Sequence, residues 1–253
     1  MLTLISPAKT LDYESVVPTD KSTAPVLLKQ AATLAKLMKA KSPQDLSGMM
    51  KISPKLAALN HERFQAWTPA SGERRQSIFA FKGDVYLGLQ AESLSSRDLN
   101  FAQKNLRILS GLYGLLRPLD LIKPYRLEMG TQLENKRGGD LYDFWRDAIA
   151  EAIKSGFGNS KNPHLINLAS NEYFKAVDLG QLKGVRVINP VFKDTSNGQL
   201  KIISFYAKRA RGLMAQYIIK QRLTQPEKLK SFDVDGYRYH PDLSSDRDWV
   251  FAR

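Results

Sequence analysis

Between Lys201 and Arg222 the chain carries six basic residues and no acid. The apolar spacing there predicts a helix from about Phe205 to Arg222. At about 100° per residue, Tyr206, Ala210, Leu213 and Tyr217 share one face, while Lys208, Arg211 and Arg222 gather within roughly 60° on the opposite side. Arg209 belongs to the same basic run. Such a helix packs by its aromatic face and offers guanidinium and ammonium groups to phosphate oxygens. A plain solvated surface is the competing reading. Gly212 borders the basic face, where a missing Cβ lets another backbone approach closely.

The stretch from Ser96 to Met129 is the second place where residue types and spacing point to an anion. Arg97, Lys104 and Arg107 lie on the polar side of an expected helix, Ser96 to Ser110. After it come Gly111-Leu112-Tyr113-Gly114, Arg117-Pro118, and a second short element carrying Lys123 and Arg126. Helix, glycine-punctuated turn and helix is the layout of a helix-hairpin-helix module. There Gly111 and Gly114 would bring backbone N–H groups onto a phosphate without an intervening Cβ. The glycines stand three apart and Pro118 deletes one amide, so the match is loose. A Gly-x-x-Gly clamp fits the spacing but would expose Leu112 and Tyr113. An ordinary helix stop followed by a restart at Pro118 fits as well.

Smaller motifs add polar groups. Ser6-Pro7-Ala8-Lys9 has the spacing of a Ser-x-x-Lys dyad, but no companion motif follows, and Lys9 reads better as an anion ligand at a strand end. Asn171-Glu172-Tyr173 follows an expected strand, where α/β folds place their sites; it reads equally as a helix start capped by Ser170. His61, His164 and His240 have no metal-ligand spacing. Asp233-Val234-Asp235-Gly236 lacks the later Glu of a calcium loop. Neither a Walker lysine loop nor Gly-x-Gly-x-x-Gly occurs, so nucleotide chemistry has no motif behind it, and neither a cofactor nor a metal is expected.

The elements that must position these groups alternate along the chain. Leu2 to Ile5, His164 to Ala169, Val185 to Asn189, Gln199 to Ser204 and Trp249 to Phe251 read as strands, with Asn197-Gly198 a hairpin turn. Ser77 to Phe81 and Val85 to Leu87 flank Lys82-Gly83-Asp84 and read as strands or a turn of a sheet. Helices are expected over Pro25 to Ala40, after Ser42-Pro43 and Ser53-Pro54, and over Asp140 to Ile153. The expectation is one α/β domain over residues 1–253, a mixed sheet with surrounding helices and a helix-hairpin-helix-like element. The 253 residues carry 38 Lys+Arg against 25 Asp+Glu, a net charge of +13, and no Cys. That balance favours a polyanionic partner, and the missing thiols exclude disulfides and thiolate sites. With no leader and no spanning apolar run, the expected location is cytoplasmic.

Four segments resemble the YaaA family of bacterial peroxide-stress-resistance proteins. They are Ser6-Pro7-Ala8-Lys9-Thr10-Leu11, Ser110 to Pro118, Asn167 to Phe174, and Phe205 to Gly212, spread over essentially the whole chain. The resemblance implies a cytoplasmic protein that limits damage from unincorporated iron during peroxide exposure. It also implies DNA binding through a basic cleft and a helix-hairpin-helix element. The expected partner is double-stranded or branched DNA, held without sequence specificity, and neither membrane nor protein partner is expected. Lys9, Lys104, Arg107, Gly111, Gly114, Arg117, Lys123, Arg126, Lys208, Arg209 and Arg211 would hold it, with Ser6, Asn171, Glu172 and Tyr173 as polar cleft groups. The alternative is an enzyme acting on an anionic small molecule in the same cleft, using Lys9, Arg117, Glu172, Tyr173 and Lys208. Direct iron binding would need carboxylate and histidine clusters that the linear order does not display.

Overall fold

A computed structural model describes residues 1–69 and 71–253. Its centre is a mixed sheet built on β1 (Leu2–Ile5), which pairs in parallel with β2 (Leu106–Ser110) on one side and β4 (His164–Leu168) on the other. Beyond β4 lie β5 (Arg186–Ser196) and β8 (Asp248–Ala252), also parallel. Three antiparallel strands are added: β3 (Gly114–Leu116) on β2, β6 (Gln199–Lys201) on β5, and β7 (Arg238–Tyr239) on β8. The expected α/β class with a mixed sheet is therefore the observed one. The inner strands are nearly continuous apolar runs because a parallel strand is buried on both faces; all four residues of β1 and all five of β2 are buried.

Helices surround or extend the sheet, among them α1 (Leu28–Lys39), α2 (Pro43–Met50), α3 (Pro54–Gln65), α4 (Asp84–Leu89), α5 (Ser96–Asn105), α6 (Leu141–Phe157), α7 (Asn171–Phe174) and α8 (Ser204–Lys220). Ser42 and Ser53 cap α2 and α3 with Pro at the first turn, as the Ser-Pro pairs predict, and Ser42 forms a reciprocal box with Asp45. Asn197 and Gly198 turn β5 into β6 with positive φ at both positions. Ser170 precedes α7, though its side chain makes no cap bond.

Three expectations are corrected. The helix begun at Ser96 stops at Asn105, and Leu106 to Ser110 continue as β2. Gly111 to Tyr113 then form the tight turn of a β-hairpin in which Leu109 faces Leu115 and Ser110 faces Gly114. Strand, turn and strand, all buried, stand where helix-hairpin-helix was expected. The glycines serve packing here. A Cβ on Gly111 would strike the Leu127 carbonyl, and Gly114, at φ +69°, lies against the Trp145 ring, whose Nε1 donates to Gly111 O at 2.8 Å. Leu121–Ile122, beyond Pro118, is a short strand paired with Arg75–Gln76 rather than a second helix.

The second correction is at Ser77 to Leu87. Ser77–Ala80 is one helical turn, Phe81–Lys82 pairs with Thr10–Leu11, and Val85 to Leu87 lie inside α4. The third is on α8: Ala207, Ala210, Leu213, Met214 and Ile218 are buried, while Tyr206 is exposed and Tyr217 half-buried. The close approach expected at Gly212 is present. α8 crosses α4 with backbone against backbone, and a Cβ on Gly212 would strike Val85 O and come within 2.9 Å of Gly88 Cα.

Candidate functional site

In the strand order β2-β1-β4-β5, the chain leaves β1 for one side and later returns to the other, so the connections diverge between β1 and β4. Open parallel sheets leave a crevice at the carboxyl ends of such a pair. Here those ends deliver Ser6-Pro7-Ala8-Lys9 from β1 and Ser170-Asn171-Glu172-Tyr173 from β4. α8 brings Lys208 and Arg211 over them, and the Lys82–Tyr86 segment closes the wall. Together, Asn171 excepted, they line a cavity of about 420 Å³. Gly83 allows that closure, since its Cβ position lies 3.2 Å from Ala8 Cβ.

The floor is rigid. Ser6 Oγ accepts from Ser170 N–H at 2.8 Å and lies 3.3 Å from Ser170 Oγ, while the Tyr86 hydroxyl donates to Ser6 O at 3.1 Å. Burial pushes the Tyr86 and Tyr173 phenols well above their ordinary pKa, so both remain protonated donors. At the rim Glu128 takes Lys9 at 2.7 Å and Arg126 at 2.8 Å, and Glu172 accepts from Gly130 N–H at 3.1 Å. Lys82 lies 3.3 Å from Asp12, whose carboxyl is held far below the usual range, chiefly by the Ser15 N–H.

Arg211 differs from these. Among the described residues it has neither an ion pair nor a side-chain hydrogen bond, though it is half-buried, and burial alone draws its pKa below the ordinary guanidinium value. A desolvated cation without a counter-charge is costly unless a ligand supplies one. Arg211, Ser170 and Glu172 also line a neighbouring chamber of about 670 Å³. There Asn167 donates to Asn189 at 3.0 Å and Asn189 to Asp248 at 2.8 Å, a polar row crossing β4, β5 and β8.

Of the residues expected to bind, Ser6, Lys9, Glu172, Tyr173, Lys208 and Arg211 line the first cavity, and Asn171 the second. Arg126 reaches the rim through Glu128, and Arg209 is exposed on the same helix. The remainder lie elsewhere. Lys104 is exposed on α5, and Gly111 and Gly114 are buried in the turn. Arg107 folds back onto the carbonyls of Gln103 and Leu106 at 3.1 and 2.8 Å, its pKa pulled down to about 10 chiefly by burial. Lys123 is buried against a different cavity. Lys82, Tyr86 and Glu128 were not anticipated; the Lys82-Gly83-Asp84 turn was visible, but nothing in linear order ties it to Lys9.

Arg117 is structural. Its guanidinium donates to fully buried Asp120 at 2.9 and 3.1 Å, and Asp120 also accepts from Arg117 N–H at 2.8 Å and Thr23 Oγ at 2.6 Å. Asp120→Ala should cost about 3 kcal/mol in urea unfolding, the low end for breaking a buried pair because Arg117 keeps some solvent. A loss under about 1 kcal/mol would show the pair to be incidental.

The family described as "Peroxide stress protein YaaA" matches residues 1–243. The chain belongs to this family. It is similar to a UPF0246 protein of Teredinibacter turnerae, 54% identical over 255 residues, covering 100% of this chain and 99% of the relative. A UPF0246 protein of Hahella chejuensis is 51% identical over 255 residues, with the same coverage. Membership in the YaaA family carries the general role of peroxide-stress resistance. Among the described residues, no helix is long and apolar enough to cross a membrane. Nor do three or more His, Asp or Glu side chains group there in a way that could hold a metal ion.

Proposed function

We propose that this member of the YaaA family resists peroxide stress by holding DNA along the cleft at the ends of β1 and β4, without sequence specificity. The observation that carries the reading is convergence. Lys9, Lys82, Lys208 and Arg211 come from three separate segments onto one cavity, and Arg211 has no carboxylate of its own. Exposed Phe205 lies one turn from Lys208 on α8, and an aromatic ring beside a cation is what an unstacked base packs against. The footprint is smaller than the sequence implied, because Arg107, Arg117 and Lys123 are withdrawn from it.

Such binding would also shield the DNA from iron. Ferrous iron condensed on DNA phosphates reduces peroxide to hydroxide and a hydroxyl radical beside the sugar it attacks. A protein that neutralises those phosphates releases the condensed cations. Plasmid nicking by ferrous iron and peroxide should therefore fall as the protein saturates the DNA. Unchanged nicking at saturation would overturn the protective role.

One observation favours a second reading, an enzyme acting on a small anionic molecule. The first cavity joins Lys9, Glu172, Tyr173 and Lys208 over a floor fixed by Ser6 and Ser170, four of the five groups that reading requires, Arg117 being the exception. In that case a small phosphate ester would saturate the cleft and displace DNA from it.

A further inference from the structure

Lys123, withdrawn from the cleft, faces a cavity of about 200 Å³ that shares no lining residue with it. The side chain sits in a residue only 7% exposed. Among the described residues its ammonium reaches just two groups, Ala66 O at 3.5 Å and Thr68 Oγ at 3.4 Å, both long contacts. Arg74 lines the same space. Two cations therefore border a small cavity whose described lining holds no carboxylate, and one of them belongs to a buried residue. An arrangement of that kind is unfavourable unless an anion completes it.

A second, independent feature points the same way. The Tyr113 hydroxyl accepts from Trp67 Nε1 at 3.1 Å and from Lys123 N–H at 3.0 Å. Both lone pairs are thereby used, and the phenol's own proton has no acceptor among the described residues. Tyr113 is 1% exposed and also lines the cavity. Burial pushes its pKa up to about 12, so the proton stays in place. Burial, then Arg74, draws the Lys123 pKa down, the reverse of what a structural carboxylate partner would do.

The geometry points to a built site for a small tetrahedral oxyanion, free phosphate or a terminal phosphate monoester, held by Lys123 Nζ, the Tyr113 hydroxyl and Arg74. Every one of these groups is a donor. At about 30 Å³ of liquid volume per water, the cavity accommodates such an ion with a few waters. Gly72 leaves room for the ammonium: a Cβ there would lie 2.8 Å from Lys123 Nζ. The site is independent of whether DNA occupies the cleft.

Calorimetric titration of the full chain with inorganic phosphate tests it. Saturable binding is expected in the wild type and in Lys208→Glu, whose change lies in the cleft. Lys123→Met should weaken it about ten- to a hundredfold, the loss of a charge-assisted hydrogen bond. Because Lys123 is buried, Arg74→Gln serves as the second variant; Arg74 is exposed, and its loss should weaken phosphate in the same direction. A 5′-phosphorylated oligonucleotide and its unphosphorylated twin separate the two sources. If only the phosphorylated strand competes with phosphate, the ligand is a strand terminus; if neither competes, it is the free ion. Absence of saturable phosphate binding overturns the proposal. So does titration of both variants like the wild type, or loss of binding in Lys208→Glu alone.

Discussion

Replacing Lys208 and Arg211 together by Glu should lower affinity for duplex DNA by at least roughly thirtyfold, equally for unrelated sequences. The estimate follows from the site. Arg211 is half-buried and unpaired, so a phosphate against it makes a desolvated, charge-assisted contact, and truncating one partner of such a pair costs about 2–5 kcal/mol. Lys208 is exposed and adds a screened contact of smaller effect. Uniform loss is expected because phosphate contacts position a protein on DNA without reading bases. Fluorescence anisotropy on several labelled duplexes measures it. Loss on one sequence only would mean that the cleft reads bases, contrary to the proposed nonspecific grip.

Gly212→Ala should be among the most damaging single substitutions in the chain. The added Cβ would occupy the position of Val85 O and crowd Leu89 N at 2.8 Å, and both are backbone atoms of α4 that no rotamer change can move. Relief requires separating α8 from α4, which disturbs Leu89, Ala210 and Met214, all buried. Overpacking of a rigid contact costs about 1–3 kcal/mol, occasionally more. Because α8 carries Lys208 and Arg211, the same shift should also weaken ligand binding. Urea unfolding beside the anisotropy titration checks both effects. A variant with wild-type stability would mean that the two helices are not in backbone contact.

What could be read from the linear order was what local chemistry decides. Ser42-Pro43 and Ser53-Pro54 start helices because a hydroxyl cap and a fixed φ act within one turn. Asn197-Gly198 turns a hairpin because both residues tolerate positive φ. The strands at His164 and Val185 carry β-branched and apolar runs bounded by turns. The error at Ser96 to Ser110 has an equally physical origin. Leu99, Ala102, Leu106 and Leu109 keep helical spacing, yet Leu106 to Leu109 belong to a strand buried on both faces, and such a run has no period of its own. The glycines after it suit an amide-rich phosphate turn in linear order, but it is Trp145 and the Leu127 carbonyl, both distant in sequence, that require them.

The candidate site divides along the same line. Lys9, Glu172, Tyr173, Lys208 and Arg211 were found because each follows a strand or lies on a basic helix face. Lys82, Tyr86 and Glu128 were missed because only the folded sheet brings them to Lys9. Charge alone groups Arg117 and Lys123 with the cleft. Burial of Asp120 beside the one, and of the Lys123 residue against another cavity, is a tertiary fact.

The most direct test of the DNA cleft is the salt dependence of binding. With Lys9, Lys82, Lys208, Arg209 and Arg211 as the footprint, log K against log salt should fall with a slope of about −4.5. Affinity would then drop by two to three orders of magnitude between about 50 and 200 mM salt. The Lys208→Glu, Arg211→Glu protein should show a slope shallower by about 2. A slope near zero, or one that the double substitution leaves unchanged, would contradict the account.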